Sequence, residues 1–405
     1  MFNSTTLDFC FLFLGLLFCL ISSSSLCTML PLSTAANPPP QSDMTNQNTR
    51  LQEIKQFDES KIGVKGLVDR GLESIPSFFI HPYPPKPNQK PSPTRKADPN
   101  CTPGLIPTIP VIDFFSPRST LVDQVRRASS SLGFFQIINH SVSLSSITKI
   151  LSSMQGFFEL PENVKKEYYS RDMSRGPAYL TNFDLYQSEA ASWRDTFQMN
   201  LSPRPPKWEN VPVMCREGVA EWDKEVVKIS EEIMGILFEG LGLEKSNNKL
   251  WEISGGRVMA AHYYPYCPQP ELTDGLTSHT DLRLLTMLVQ NEVPGLQVKI
   301  GEGWVDVEPV KGAILFNIGD LFQIMSNDQY KSVEHRVLAN PLRDSRVSVA
   351  VFLKPSLSDQ LCGPFPELVS AEKPAVYRQF TLSDYMGRFF SKELDGKTLT
   401  NYYRI

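Results

Sequence analysis

The sequence predicts a mainly β protein: a jelly-roll core with flanking helices, preceded by an α/β portion. Three observations lead there. After Gly255-Gly256 the apolar spacing changes from helical to short strand-length runs at 258–264, 284–289, 296–299, 304–307, 313–318, 334–338 and 347–353. Turn-forming pairs such as Pro294-Gly295 and Lys311-Gly312 separate these runs, and short strands so spaced suit two packed antiparallel sheets. Before that point, strand-like runs bracket an amphipathic helix and longer helical periods follow.

Taken in order, residues 9–21 read FCFLFLGLLFCLI, an apolar run like the core of a secretory signal and too short for a comfortable membrane span. No Lys or Arg precedes Arg50, and Asp8 sits where a positive flank belongs. Three readings stay open: an endoplasmic-reticulum signal or anchor, an extension upstream of a start at Met44, and another targeting role. Residues 28–49, rich in Ser, Pro, Asn and Gln, are expected to be disordered or removed, with the folded unit starting near Leu51. The proline-rich stretch 82–104 reads as a surface connector. Strands are expected at 109–112 and 134–138 around a helix at 121–132, then helices at 142–170 and 219–241. The organisation expected is therefore a signal-like or spurious segment plus disordered stretch (1–50), an N-terminal arm with connector (51–104), an α/β domain (105–250), the jelly roll (251–360) and a helical tail (361–405).

A chain of 405 residues can bury a sizeable core. With net charge −4 and 21% charged residues it lacks the basic surface that nucleic acid requires, so no nucleic-acid partner is expected. The seven cysteines are odd in number, widely spaced and without a Cys-x-x-Cys pair, which suits a reducing compartment.

Chemistry concentrates late in the chain. Of five histidines, His279 stands two residues before Asp281 and His335 follows further on. On a strand, residues two apart share a face, so His279 and Asp281 can meet one metal from the start of a strand while His335 comes from a later one. Two imidazoles and one carboxylate on one face of an octahedral ion leave three positions open, as in non-heme Fe(II) oxygenases. Arg346 and Ser348, also two apart, interrupt the apolar run Val347, Val349, Ala350, Val351, Phe352. A buried arginine there needs an anion, and its planar fork matches a carboxylate, with Ser348 able to donate a further bond. Phe352 and Lys354 share that face by alternation and are candidates to touch substrate.

The whole pattern, His-x-Asp, a distal His and Arg-x-Ser, resembles the plant 2-oxoglutarate/Fe(II)-dependent dioxygenase family. The likeness runs from Ile109-Pro110-Val111-Ile112-Asp113 and Gly133-Phe134-Phe135-Gln136, through Trp193-Arg194-Asp195-Thr196 and His262-Tyr263-Tyr264-Pro265, to Lys331-Ser332-Val333-Glu334-His335-Arg336. The early run Phe57-Asp58-Glu59-Ser60-Lys61-Ile62-Gly63-Val64 is similar to the branch of 1-aminocyclopropane-1-carboxylate oxidase homologues, which includes deacetoxyvindoline 4-hydroxylase.

The resemblance implies a double-stranded β-helix core and makes 105–250 the N-terminal dioxygenase domain and 251–360 the catalytic one. It implies Fe(II) on His279, Asp281 and His335, with O2 and 2-oxoglutarate as co-substrates and ascorbate in support. The far carboxylate of 2-oxoglutarate would be held by Arg346, Ser348 and Tyr264. His262, where the wider family often has asparagine, is expected beside the site as a donor. His140, Asn317-x-Gly319-Asp320 and Trp193-Arg194-Asp195 read as structural. Anthocyanidin-synthase-like relatives carry Phe and Glu where this chain has Phe352 and Lys354, so a flavonoid read by that acid is in doubt. The implied protein is a cytoplasmic monomer without stable membrane insertion that hydroxylates a small plant specialised metabolite. Its competitors are an ascorbate-using 1-aminocyclopropane-1-carboxylate oxidase and a non-catalytic binder on the same fold.

Overall fold

Strand alternation decides where the chemistry lies. The computed structural model describes residues 41–82, 108–172, 176–243, 252–356, 361–390 and 398–405. The apolar run 9–21 and nearly all of the proline-rich connector lie outside these residues. The chain divides into two units, Met1–Thr45 and Asn46–Ile405, and the described strands all belong to the second. Helix α1 spans Gln41–Ser60, so residues 41–49 are helical where disorder was expected; residues 28–40 lie outside the described residues. Further along the same helix Ile54 and Phe57 are buried.

In chain order the strands are β1 (Val111–Asp113), β2 (Phe134–Ile138), β3 (Ala178–Leu180), β4 (Asp195–Ser202), β5 (Gly256–Tyr264), β6 (Asp274–His279), β7 (Leu285–Gln290), β8 (Leu296–Ile300), β9 (Gly303–Asp306), β10 (Ile314–Ile318), β11 (His335–Leu338), β12 (Arg346–Lys354), β13 (Leu361–Cys362) and β14 (Phe380–Thr381). Eight form one sheet in the order β1-β2-β10-β7-β12-β5-β4-β3, and four form a second, β6-β11-β8-β9. All these pairings are antiparallel except β1 with β2. Two stacked sheets of this kind are the jelly roll that the periodicity predicts.

Each central strand of the large sheet sorts its side chains by parity. On β12, Val347, Val349, Val351 and Leu353 join a core shared with Ile147, Ile150, Met154 and Phe157 of α4 (Leu144–Phe158) and Trp222, Val226 and Ile229 of α6 (Val213–Gly240). The opposite face turns toward the small sheet, where Phe134, Tyr264 and Leu315 meet Leu276, Leu296, Val298 and Val337. Arg346, Ser348, Phe352 and Lys354 share this second face. A one-residue slip would exchange these sets, so burial on both sides fixes the register.

Two expectations need adjustment. The helix expected at 142–170 ends at Phe158, and Pro161 starts the separate α5 (Glu162–Lys165), because the proline ring disfavours helix in the residue before it. Strands β3, β4, β13 and β14 were not anticipated, the last two lying in the tail expected to be helical, and β6 ends at His279 where a strand was expected to start. The sequence of β6, DGLTSH, lacks apolar alternation because it has a single apolar side chain, Leu276, which packs in the core between the sheets.

The N-terminal arm fixes a site-bearing segment. Gly63 adopts φ +68, and a Cβ there would fall 2.0 Å from the Tyr179 hydroxyl, so only glycine fits the turn into α2 (Gly63–Asp69). The first amides of α2, Val64 N and Lys65 N, donate to the buried Asp195 carboxylate at 2.8 and 2.9 Å. Phe79 packs edge-on to Trp193 at 4.9 Å, while the Trp193 indole N–H donates to the Tyr266 carbonyl at 3.1 Å. Trp193-Arg194-Asp195 is thus an anchor whose middle residue points elsewhere, toward His262. Among the described residues no helix is long and apolar enough to cross a membrane.

Candidate active site

His279 ends β6 and faces His335, the first residue of β11, as its cross-strand partner, with ring centroids 4.3 Å apart. Asp281 Oδ1 lies 3.6 Å from His279 Nε2 and 3.7 Å from His335 Nε2. All three ligand-type atoms fall within 4.8 Å of one another and all three residues are buried. Each imidazole is bonded through Nδ1 to a carbonyl, His279 to Thr277 O at 2.9 Å and His335 to Val333 O at 3.2 Å. Donation from Nδ1 leaves both Nε2 lone pairs turned to the same point, the tautomer a metal requires.

The sequence places His279 and Asp281 at the start of one strand, and the structure corrects this: the strand ends at His279 and Asp281 belongs to the loop beyond it. What aims Asp281 is a set of staples to a distant segment. Its Oδ2 accepts from Asn317 Nδ2 at 2.7 Å and from the Thr286 hydroxyl, leaving Oδ1 for a metal. Asp320 N donates to Asp281 O at 2.7 Å, and Thr280 donates to Asp320 Oδ2 at 2.8 Å. A Cβ on Gly319 would sit 2.0 Å from the Arg283 carbonyl, so this approach demands glycine. Burial by itself would raise the Asp281 carboxyl, but the imidazoles of His335 and His279 and the Asn317 donor outweigh it and hold it below the usual carboxylate range. Asn317, read from sequence as part of a turn, is therefore a site residue. Thr286 was missed altogether, since a threonine inside an apolar strand looks like ordinary β-propensity.

At the end of β12 near the turn, Arg346 pairs in register with Tyr264 and Ser348 with His262. The Arg346 side chain is 1% exposed, and its Cζ lies 4.9 Å from the Tyr264 ring centroid. Nη2 donates to Gln290 Oε1 at 2.6 Å, a partner without local sequence signal, while Ser348 Oγ stands 3.5 Å from Nη1, too far for a strong bond. The buried Nε has no hydrogen-bond partner, and no carboxylate among the described residues pairs with the guanidinium. A buried charge in this state fits an anionic ligand.

His262 Nδ1 lies 3.1 Å from the Thr196 hydroxyl and 3.3 Å from Arg194 Nη1. Burial, with the Arg194 and Arg346 charges, drives its imidazole well below the ordinary range, so it is neutral. With Nδ1 accepting from Arg194, Nε2 carries the proton. Asp184, also missed, is a buried acid whose carboxyl is raised by burial and partly restored by Arg194. His140 stands apart, its Nε2 bonded to Gly312 O at 2.9 Å.

Comparison with known proteins now decides the family. The model described as the 2OG-Fe(II) oxygenase superfamily matches residues 255–355, which contain the triad and the Arg346 pair. The one described as non-haem dioxygenase in morphine synthesis N-terminal matches residues 109–218. The chain is 41% identical over 365 residues to 1-aminocyclopropane-1-carboxylate oxidase homolog 3 of Arabidopsis thaliana, covering 88% of this chain and 97% of that protein. This protein belongs to the 2-oxoglutarate/Fe(II)-dependent oxygenases. A tomato (Solanum lycopersicum) homolog of the same oxidase is 39% identical over 360 residues, covering 88% of this oxygenase and 97% of the relative. The crystal structure of JOX2 in complex with 2OG, Fe and JA superposes with TM-score 0.72 at 31% identity, covering 85% of this chain and 98% of that one. The dioxygenase for auxin oxidation in rice gives 0.62 at 25%, covering 72% and 99%. The fold and cofactors of this oxygenase are those of its family, and the His/Asp/His cluster fits Fe(II).

The staples on Asp281 carry a prediction. In the Asn317→Ala oxygenase, Oδ2 loses one of its two donors and the carboxylate is free to rotate, so affinity for Fe(II) or Mn(II) is expected to fall about 10- to 100-fold with the fold intact. Metal titration checks this, with far-ultraviolet circular dichroism as the folding control; unchanged affinity would show that the loop alone orients Asp281.

Proposed function

We propose that this oxygenase hydroxylates a small plant specialised metabolite, with His279, Asp281 and His335 holding Fe(II) and Arg346, Ser348 and Tyr264 holding the far carboxylate of 2-oxoglutarate. The observation that carries the reading is the buried Arg346 guanidinium, with an unsatisfied Nε and no carboxylate partner among the described residues, on the face shared with the metal cluster. The iron supplies the oxidising chemistry when bound: 2-oxoglutarate and O2 become succinate and CO2, and one oxygen atom enters a substrate C–H bond.

The chain's own residues do the positioning. His279 and His335 present neutral Nε2 atoms because Thr277 and Val333 carbonyls hold their other nitrogens. Asp281 offers one oxygen because Asn317 and Thr286 occupy the other. Arg346 meets the co-substrate with a charged fork steadied by Gln290 and covered by the Tyr264 ring, in surroundings dry enough for the pairing to be strong. His262 and Ser348 add hydrogen-bond donors on the same face. Among the described residues the buried cysteines Cys215, Cys267 and Cys362 form no disulfide, which, with the need for ferrous iron, suits the cytoplasm.

Isotope accounting tests the reading. With labelled O2, Fe(II) and a plant metabolite extract, one labelled atom is expected in succinate and the other in a new hydroxylated product, with succinate and product approaching equal amounts at saturating substrate. Product formed at full rate without 2-oxoglutarate would instead point to an ascorbate-driven oxidase.

A further inference from the structure

The site contains a second cationic group that neither the metal nor the Arg346 clamp uses. Arg283 lies two residues beyond Asp281, in the loop whose Leu282 carbonyl accepts from the Tyr385 hydroxyl at 2.7 Å. Its Nη1 is buried without a hydrogen-bond partner, and its Cζ stands 6.0 Å from the Phe352 ring centroid. Phe352 is in turn the cross-strand partner of Thr286, which bonds Asp281. Arg283 therefore borders the metal cluster on the side occupied by Phe352. Along β12 this is roughly 20 Å from Arg346, at about 3.3 Å per residue.

Lys354 follows Phe352 by two residues on the same face, and its stem crosses β5 at Gly256, where a Cβ would fall 2.8 Å from Lys354 Cγ. No described residue forms an ion pair with Lys354 or Arg283. Burial pushes both groups down, and the positive charges of Arg283 and Arg204 add to this at Lys354. A buried guanidinium costs stability unless an anion meets it, and Asp281, the acid that offsets it most, has its oxygens committed to the metal and to Asn317 and Thr286.

We propose that Arg283 and Lys354 bind the carboxylate of an acidic organic substrate, while Phe352 packs on its apolar part. This rests on the oxygenase reading above, in which 2-oxoglutarate already fills the Arg346 end. Selection of an acid over a neutral analogue at such a pair follows from charge-assisted bonding, and the opposite charge of an amine would be repelled.

The test is equilibrium binding under nitrogen to protein loaded with Fe(II) and 2-oxoglutarate. The probes are arylalkyl carboxylic acids of varied chain length, each matched with its primary amide and its amine. The acids are expected to bind about tenfold or more tighter than the amides, and the amines not to bind. Lys354→Glu should reverse the order in favour of amines, and Arg283→Gln should bring acid and amide to within about threefold of each other. Equal binding of acid and amide, preference for amines, or no binding by any acid overturns the proposal. Succinate formation by the wild type distinguishes the failures: an enzyme that consumes 2-oxoglutarate but ignores the acids refutes only this pairing, whereas one that makes no succinate refutes the oxygenase reading as well.

Discussion

His279→Ala, Asp281→Ala and His335→Ala are each expected to abolish succinate release and to remove the stabilisation that metal confers. Each deletes one of the three residues proposed to hold the metal, which the fold collects from β6, the loop after it and β11. A site filled to about 100 times its dissociation constant contributes about 2.7 kcal/mol to the folded state. Fe(II) or Mn(II) should therefore raise the wild-type melting temperature by several degrees and leave the three variants unmoved. Asp281→Ala carries an extra cost, because Asn317 and Thr286 lose their acceptor and buried unsatisfied donors cost about 1–3 kcal/mol each. It should be the least stable of the three without metal. His140→Ala is the control, since that ring reaches only the Gly312 carbonyl, and its metal response should match the wild type. Turnover at the wild-type rate in any triad variant would dismantle the site.

The second large effect concerns the co-substrate. Arg346→Gln is expected to raise the apparent KM for 2-oxoglutarate by about 10- to 100-fold, the size of one or two hydrogen bonds to a charged group, while the KM for the organic substrate changes far less. The loss has two parts. The charged fork disappears, and Gln290 Oε1 is left without the donor that holds it at 2.6 Å. Arg346→Lys keeps the charge but cannot span a carboxylate with two parallel bonds, so it should fall between. Steady-state kinetics with 2-oxoglutarate varied at fixed substrate separate the three enzymes; identical KM values would mean that the carboxylate is held elsewhere.

What was legible in the sequence, and what was not, divides along contact distance. His-x-Asp and Arg-x-Ser are visible because a two-residue spacing is local geometry and because His and Arg are conspicuous inside apolar runs. The alternation of 347–353 likewise announces a strand buried on one face, and β12 obeys it. The residues that aim these groups come from far along the chain: Asn317 reaches Asp281 across 36 positions and Gln290 reaches Arg346 across 56. Nothing local marks them, since an asparagine before a glycine reads as a turn and a glutamine at a strand end reads as surface. Strand β6 was expected to begin rather than end at His279 because DGLTSH offers only one apolar side chain, Leu276, to mark it.

The sequence by itself thus determined the fold class and singled out the His279, Asp281 and His335 set and a buried Arg346, all of which follow from periodicity and residue chemistry. Only the tertiary structure decided that Asp281 stands in a loop stapled to Asn317 and Asp320, that His279 and His335 meet as cross-strand partners, and that the Arg283 guanidinium lies 6.0 Å from the Phe352 ring without a partner for Nη1 among the described residues. The physical reason is that strand pairing and loop closure join residues with no sequence relation, and orientation to within an ångström is a property of those joins.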